Sequence, residues 1–169
     1  MMNASRLWAH QPESFEALFA LMGQAARGGA LSFRQRGILV AACASAMGDS
    51  YCALAWGSKL AQAAGADLAG AVLRGGDEGL DGSERALATW ARAVARDPNG
   101  IRAADVSRLG EAGLDDAQVV AVTLFVALRL AFSTVNDALG AVPDDGLLEA
   151  APAPVRDAVT FGRLPRSSA

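Results

Sequence analysis

The stretch Gly48-Asp49-Ser50-Tyr51-Cys52-Ala53-Leu54-Ala55-Trp56-Gly57 decides the fold. A loop ending in Gly-Asp-Ser runs straight into an Ala/Leu-rich helical pattern, which places Cys52 in the first turn of that helix. There, unpaired backbone N–H groups and the positive end of the helix dipole favour a thiolate. Asp49 can serve as the N-cap, but its charge opposes a second negative charge on sulfur. The two effects roughly cancel, so the thiol is expected to titrate near its free value of about 8.5. Asp49, Cys52, Trp56 and Lys59 or Leu60 follow at helical spacing and share one face, which would make the surroundings of the thiol aromatic.

Helical signals continue in both directions. Pro12 opens a helix with Phe15, Leu18, Phe19 and Met22 on one face, stopped at Gly28-Gly29. Ser32 is the expected N-cap of a second, Phe33 to Met47, ended by Gly48. After the Cys52 helix, which runs to about Ala64, a short helix spans Ala66 to Leu73 and residues 75–82 form a loop. Further helices are expected from Ser83 to Pro98, from Ala103 to Ala112, over about 117–139, and near Val155 to Phe161. The reading is an all-α fold of about seven to eight helices: an N-terminal arm over 1–11, one domain over 12–162 and a loose tail over 163–169.

Composition agrees with helices. The chain has 169 residues, 52% of them apolar and only 6% aromatic, and lacks runs of alternating β-branched residues. Its formal charge of −3, with both signs interspersed, provides no basic stripe for a nucleic-acid backbone. Two cysteines do not make a disulfide framework, and the N-terminal residues lack the apolar core of a signal peptide, so the expected location is cytoplasmic. The apolar run Val119–Phe132 contains Arg129 and is shorter than the roughly 20 residues that span a bilayer, so it reads as a buried helix rather than a membrane anchor. One histidine, His10, and two separated cysteines give no metal-ligand spacing, and no cofactor is implied.

On the long helix Phe125, Arg129, Phe132 and Asn136 share a face. An arginine in so apolar a run must find a carboxylate, a subunit interface or a ligand, because an unpaired buried charge is very costly. An internal ion pair is the expected solution, with an anionic ligand or an interface as alternatives. Cys43, in the helix before the loop, reads as a small buried hydrophobe rather than a disulfide partner for Cys52.

Three stretches together resemble the carboxymuconolactone decarboxylase and alkylhydroperoxidase D superfamily. They are Leu31-Ser32-Phe33-Arg34-Gln35-Arg36, Tyr51-Cys52-Ala53-Leu54-Ala55 and Ala112-Gly113-Leu114-Asp115-Asp116-Ala117-Gln118-Val119, supported by the segment Ala131 to Gly140 with Asn136 near a helix end. The resemblance covers about 12–140. It implies the alkylhydroperoxidase D-like helical fold and a homo-oligomer, a dimer or a trimer of dimers. The peroxidase branch uses a Cys-x-x-Cys pair, a histidine four residues on, and a glutamate on the preceding helix. Its second cysteine maps to Cys52, its first to Asp49, its histidine to Trp56 and its glutamate to Gly37. Only the thiol carries over.

Three functions follow as expectations. The first is an alkylhydroperoxidase-like antioxidant oxidoreductase, a peroxidase with Cys52 as its catalytic thiol and an external thiol as reductant. The second is a decarboxylase-branch lyase or isomerase acting on a small carboxylate or lactone, with Arg129 as anion clamp. The third is a non-catalytic oligomer that binds a small molecule. In each case Asp49, Tyr51, Trp56, Arg129, Phe132 and Asn136 are the candidate pocket residues.

Overall fold

The computed structural model describes residues 2–164, and among these every regular element is helical. In chain order the helices are α1 (Asn3–Trp8), α2 (Pro12–Gly28), α3 (Phe33–Met47), α4 (Ser50–Ala64), α5 (Ala66–Leu73) and α6 (Gly82–Arg96). A 3-10 turn at Pro98–Gly100 precedes α7 (Ala103–Glu111), α8 (Asp116–Ala138), α9 (Asp145–Ala150) and α10 (Ala153–Ala158). The fold is all-α, as expected. It contains two short helices that periodicity does not announce, α1 and α9, because six residues are too few to establish a repeat.

Local chemistry sets the boundaries. Ser32 with Gln35, Asp81 with Glu84, and Asp115 with Gln118 each form a reciprocal capping box at the start of α3, α6 and α8. Gly48 ends α3 in the left-handed conformation, with φ of 77°, which costs a glycine nothing. From Gly37 to Ala44 every residue of α3 is buried, so this helix is the centre of the domain. It packs against α4, α5, α6 and α8, while α2 lies along α8 and α10 closes over α4 and α5.

Small residues permit the close approaches. Gly37 faces Leu60, where an added Cβ would sit 3.2 Å from Cδ1. Gly70 is tighter: a Cβ there would lie 2.6 Å from the Pro154 carbonyl oxygen. Gly37 is thus a packing residue. At the far side of α3, Arg34 holds Glu84 through two hydrogen bonds, Nε to Oε1 at 2.5 Å and Nη2 to Oε2 at 2.9 Å, tying α3 to α6. This pair holds the Glu84 carboxyl below its usual range.

By length and composition α8 could cross a membrane, yet its inward face carries Arg129, Ser133 and Asn136, all buried within the protein. Its outward face leaves Val120 and Leu124 exposed, and Leu139, just past its end, is exposed as well. The segment expected to be an arm, 1–11, contains α1, which docks on the domain through Asn3 and Trp8. Arg163 is held through its own carbonyl, which accepts from Ser50 Oγ, and through Nη1, which donates to the Asp137 carbonyl. The remainder of the expected tail, 165–169, lies outside the described residues.

Candidate functional site

The loop between α3 and α4 presents the thiol. Asp49 is the N-cap of α4, and its Oδ1 accepts from the Cys52 backbone N–H at 2.9 Å, which fixes Cys52 in the first turn. Asp49 is fully buried, and its Oδ2 has no hydrogen-bond partner. The C-terminal segment crosses over this loop, with Ser50 Oγ donating to the Arg163 carbonyl at 2.6 Å.

The opposite wall is α8. Arg129 Nη2 donates to Cys52 Sγ at 3.3 Å, and Ser133 Oγ donates to the same sulfur at 3.7 Å. Residues 129, 133 and 136 lie on successive turns of one face, so a single helix delivers a cation, a hydroxyl and an amide to the thiol side of the core. The other guanidinium contacts are soft. Nη1 meets the Met22 sulfur at 3.8 Å, and Cζ lies 5.5 Å from the Trp56 ring centroid and 5.2 Å from that of Phe132.

The expected internal ion pair is absent: among the described residues no carboxylate lies within 4.0 Å of Arg129, although the side chain is only 3% exposed. Arg129 Nε has no hydrogen-bond partner. A thiol, a thioether and two aromatic faces supply the solvation that a carboxylate was expected to supply.

The sulfur itself is closed off, with Cys52 2% exposed. Burial pushes its thiol up to about 12, with Arg129 and Ser133 acting in the opposite direction and Asp49 adding to the rise. The near-ordinary value expected from the helix terminus and Asp49 is therefore wrong for this closed state, because desolvation outweighs both. Cys43 is buried and free and is likewise pushed up to about 12, again mainly by burial.

Asn136 completes the wall. It is fully buried; its Oδ1 accepts from Trp8 Nε1 at 2.9 Å, and its Nδ2 has no partner. The Trp8 ring stacks on Phe132 with centroids 5.5 Å apart and planes 11° from parallel, beside Phe15 and Phe19. Trp56, half-buried, is approached by both the Arg129 guanidinium and Lys59 Nζ, the latter 4.7 Å from its ring centroid.

Six of the seven residues singled out in the sequence thus converge: Asp49, Cys52, Trp56, Arg129, Phe132 and Asn136. Tyr51 does not. Its hydroxyl donates to Asp144 Oδ2 at 2.8 Å, and the ring joins Ala4 and Ala141 in a separate small cluster under α1. Burial and the Asp144 partner push this phenol up. Sequence reasoning missed Ser133, Met22 and Trp8. Ser133 was detectable, four residues after Arg129 on the same face; the other two come from helices whose docking no local pattern encodes.

Among the described residues no three His, Cys, Asp or Glu side chains converge as a metal-binding group. The arrangement can stabilise negative charge on Cys52 Sγ, or on a small anion beside it, and can donate a proton from the Ser133 hydroxyl.

The chain is similar to the crystal structure of an alkylhydroperoxidase AhpD core, an uncharacterized peroxidase-related protein from Ralstonia eutropha JMP134. The sequence identity is 25%, the match covers 83% of this chain and 75% of that one, and the TM-score is 0.71. No protein-family model matches the chain, and no curated protein matches it.

Proposed function

We propose that this chain, a member of the alkylhydroperoxidase D-like superfamily, is a one-cysteine thiol peroxidase in which Arg129 takes the charge-stabilising part. The observation that carries the reading is the 3.3 Å approach of Arg129 Nη2 to Cys52 Sγ, by a buried guanidinium that has no carboxylate partner among the described residues. In the closed state burial keeps the thiol protonated. Admission of water and peroxide removes that contribution and leaves Arg129, the largest influence favouring the thiolate, joined by Ser133 and opposed by Asp49.

The thiolate attacks one oxygen of a hydroperoxide ROOH. The S–O bond forms as the O–O bond breaks, giving the Cys52 sulfenic acid and an alkoxide that takes a proton to leave as ROH. Arg129 faces the oxygen on which charge develops, and the Ser133 hydroxyl is placed to relay the proton. No vicinal cysteine is available, since Asp49 occupies that position. An external thiol therefore reduces the sulfenic acid, releasing water and forming a mixed disulfide, and a second external thiol liberates Cys52. In sum, ROOH and two thiols give ROH, water and a disulfide.

The test is thiol-dependent consumption of an organic hydroperoxide, together with trapping of the sulfenic acid. Loss of both in Cys52→Ser but not in Cys43→Ser supports the reading, and equal consumption by the unmodified chain and Cys52→Ser overturns it. The same lone guanidinium also suits a small-carboxylate lyase with Arg129 as clamp. That reading gains if Cys52→Ser changes nothing while Arg129→Met abolishes binding of a small carboxylate.

A further inference from the structure

Trp8 packs on the core from outside it, with contacts that a planar ligand could make as well. Its ring lies flat on Phe132, with Phe15 5.6 Å away, and Phe19 meets Phe132 edge-on at 5.4 Å. Its N–H points to Asn136 Oδ1. The residue stays half-buried and Phe19 is 39% exposed, so this aromatic slot opens to solvent. At its inner end are the orphaned Asn136 Nδ2 and, across Phe132, the guanidinium that contacts Cys52.

The helix that carries Trp8 is weakly held. α1 has six residues, no side-chain N-cap, and buries only Ala4. A helix this short has no stability of its own in water. Beyond Trp8 it is fastened at Asn3, whose backbone N–H donates to Asp144 Oδ1 at 3.0 Å and whose Nδ2 donates to the Val142 carbonyl at 3.0 Å. Asp144 is thus a latch, shared with the Tyr51 hydroxyl.

We infer that Trp8 is an internal occupant of a ligand slot beside Cys52, and that the ligand replacing it is a planar aromatic molecule bearing a hydrogen-bond donor at the ring edge. Such a ring reproduces the stack on Phe132 and the hydrogen bond to Asn136 Oδ1. A hydroxyl donor adds an acceptor for Asn136 Nδ2, which Trp8 leaves unmet. Resting on the peroxidase reading, this makes aryl-bearing hydroperoxides the substrate class, with undocking of α1 as the step that exposes the thiol.

The test needs no turnover. Alkylation of Cys52 by iodoacetamide, followed on its own peptide by mass spectrometry, is expected to be at least about tenfold faster in Trp8→Ala than in the unmodified chain, because the closed fraction is lost. Phenol or indole should restore slow alkylation in Trp8→Ala saturably, and at much higher concentration in the unmodified chain, where Trp8 competes. Asp144→Ala keeps the slot and releases the latch, so it should show the same acceleration even if Trp8→Ala fails to fold. Folded variants with unchanged alkylation rates, or acceleration that neither phenol nor indole reverses, overturn the slot. A protected slot in a chain that consumes no hydroperoxide sinks the peroxidase reading alone; consumption with no preference for cumene over tert-butyl hydroperoxide sinks the substrate class alone.

Discussion

Arg129 and Cys52, 77 positions apart in sequence, meet at 3.3 Å between α8 and α4, and no carboxylate among the described residues shares the guanidinium. A buried charge held only by a thiol, a thioether and aromatic faces is a poor stabiliser of a fold. Replacing Arg129 with Met is therefore expected to leave folding stability unchanged or to raise it by about 1–4 kcal/mol, as for other buried charges exchanged for apolar groups. The same change should lower thiol-dependent hydroperoxide consumption by about 10²-fold, with Arg129→Lys intermediate. Thermal melts and a coupled assay measure the two together. A variant that is both less stable and fully active would make Arg129 a structural residue.

Both cysteines give the protein an alkaline limit. Their thiols titrate near 8.5 in an unfolded chain and are pushed up to about 12 by burial in the fold. The folded state thus holds these protons more tightly. The contribution to stability is complete below about pH 8.5 and is lost as pH rises toward 12. Denaturant melts from pH 7 to 10.5 should show stability falling in the upper half of that range. In Cys43→Ala/Cys52→Ala the fall should be markedly smaller, and an unchanged slope would assign it to other groups.

Capping made several helix boundaries legible: Ser32, Asp49 and Gly48 are local signals, and each sets a helix end where the sequence places it. Cys52 and Arg129 were each legible as candidates. Their pairing was not, because periodicity tells which residues share a face of one helix and nothing of which faces meet. The expected carboxylate partner failed for a related reason: desolvation of a guanidinium dictates that something must face it, not what. Trp8 was hidden by the shortness of α1, whose position depends on Asn3 reaching Asp144 across the whole chain.

Two glycines should respond oppositely to alanine. At Gly70 the new methyl would lie 2.6 Å from the Pro154 carbonyl oxygen, a backbone atom that can yield only if α10 lifts from α5. The expected cost is about 1–3 kcal/mol from overpacking. Gly110, inside α7, has nothing within 4 Å of an added Cβ, and alanine there should add about 0.5–1 kcal/mol by restricting the unfolded chain. Melting temperatures that move the same way in both variants would contradict this packing.

The exposed apolar stripe of α8 bears on assembly. Val120 is 67% exposed and Leu124 39%, with the small residues Ala127 and Ala131 also outward, and Leu139, just past the helix end, is 63% exposed. A second copy offers the same uncharged stripe, and small residues at its centre let two such helices approach closely. Light scattering at micromolar concentration should give a mass above that of one chain, and Val120→Glu/Leu124→Glu should reduce it to one. A monomeric unmodified chain would refute the expectation.

Asp137 provides an acid-side counterpart to the cysteines. It stands at the C-terminal end of α8, where burial and the neighbouring Asp49 charge raise its carboxyl to about 6 and Arg163 opposes the rise. Unfolded, the group titrates near 3.9, so the folded state favours its protonated form. Its contribution to stability is complete below about pH 4 and is lost as pH rises through 6. Asp137→Asn keeps the neutral shape at every pH. The variant should match the unmodified chain near pH 3 and exceed it at pH 7.5, the gap opening between about 4 and 6 and staying level above that. Because Asp49 caps the Cys52 helix, the same substitution relieves one buried like-charge contact beside the thiol loop. A gap independent of pH would show that Asp137 does not titrate against Asp49.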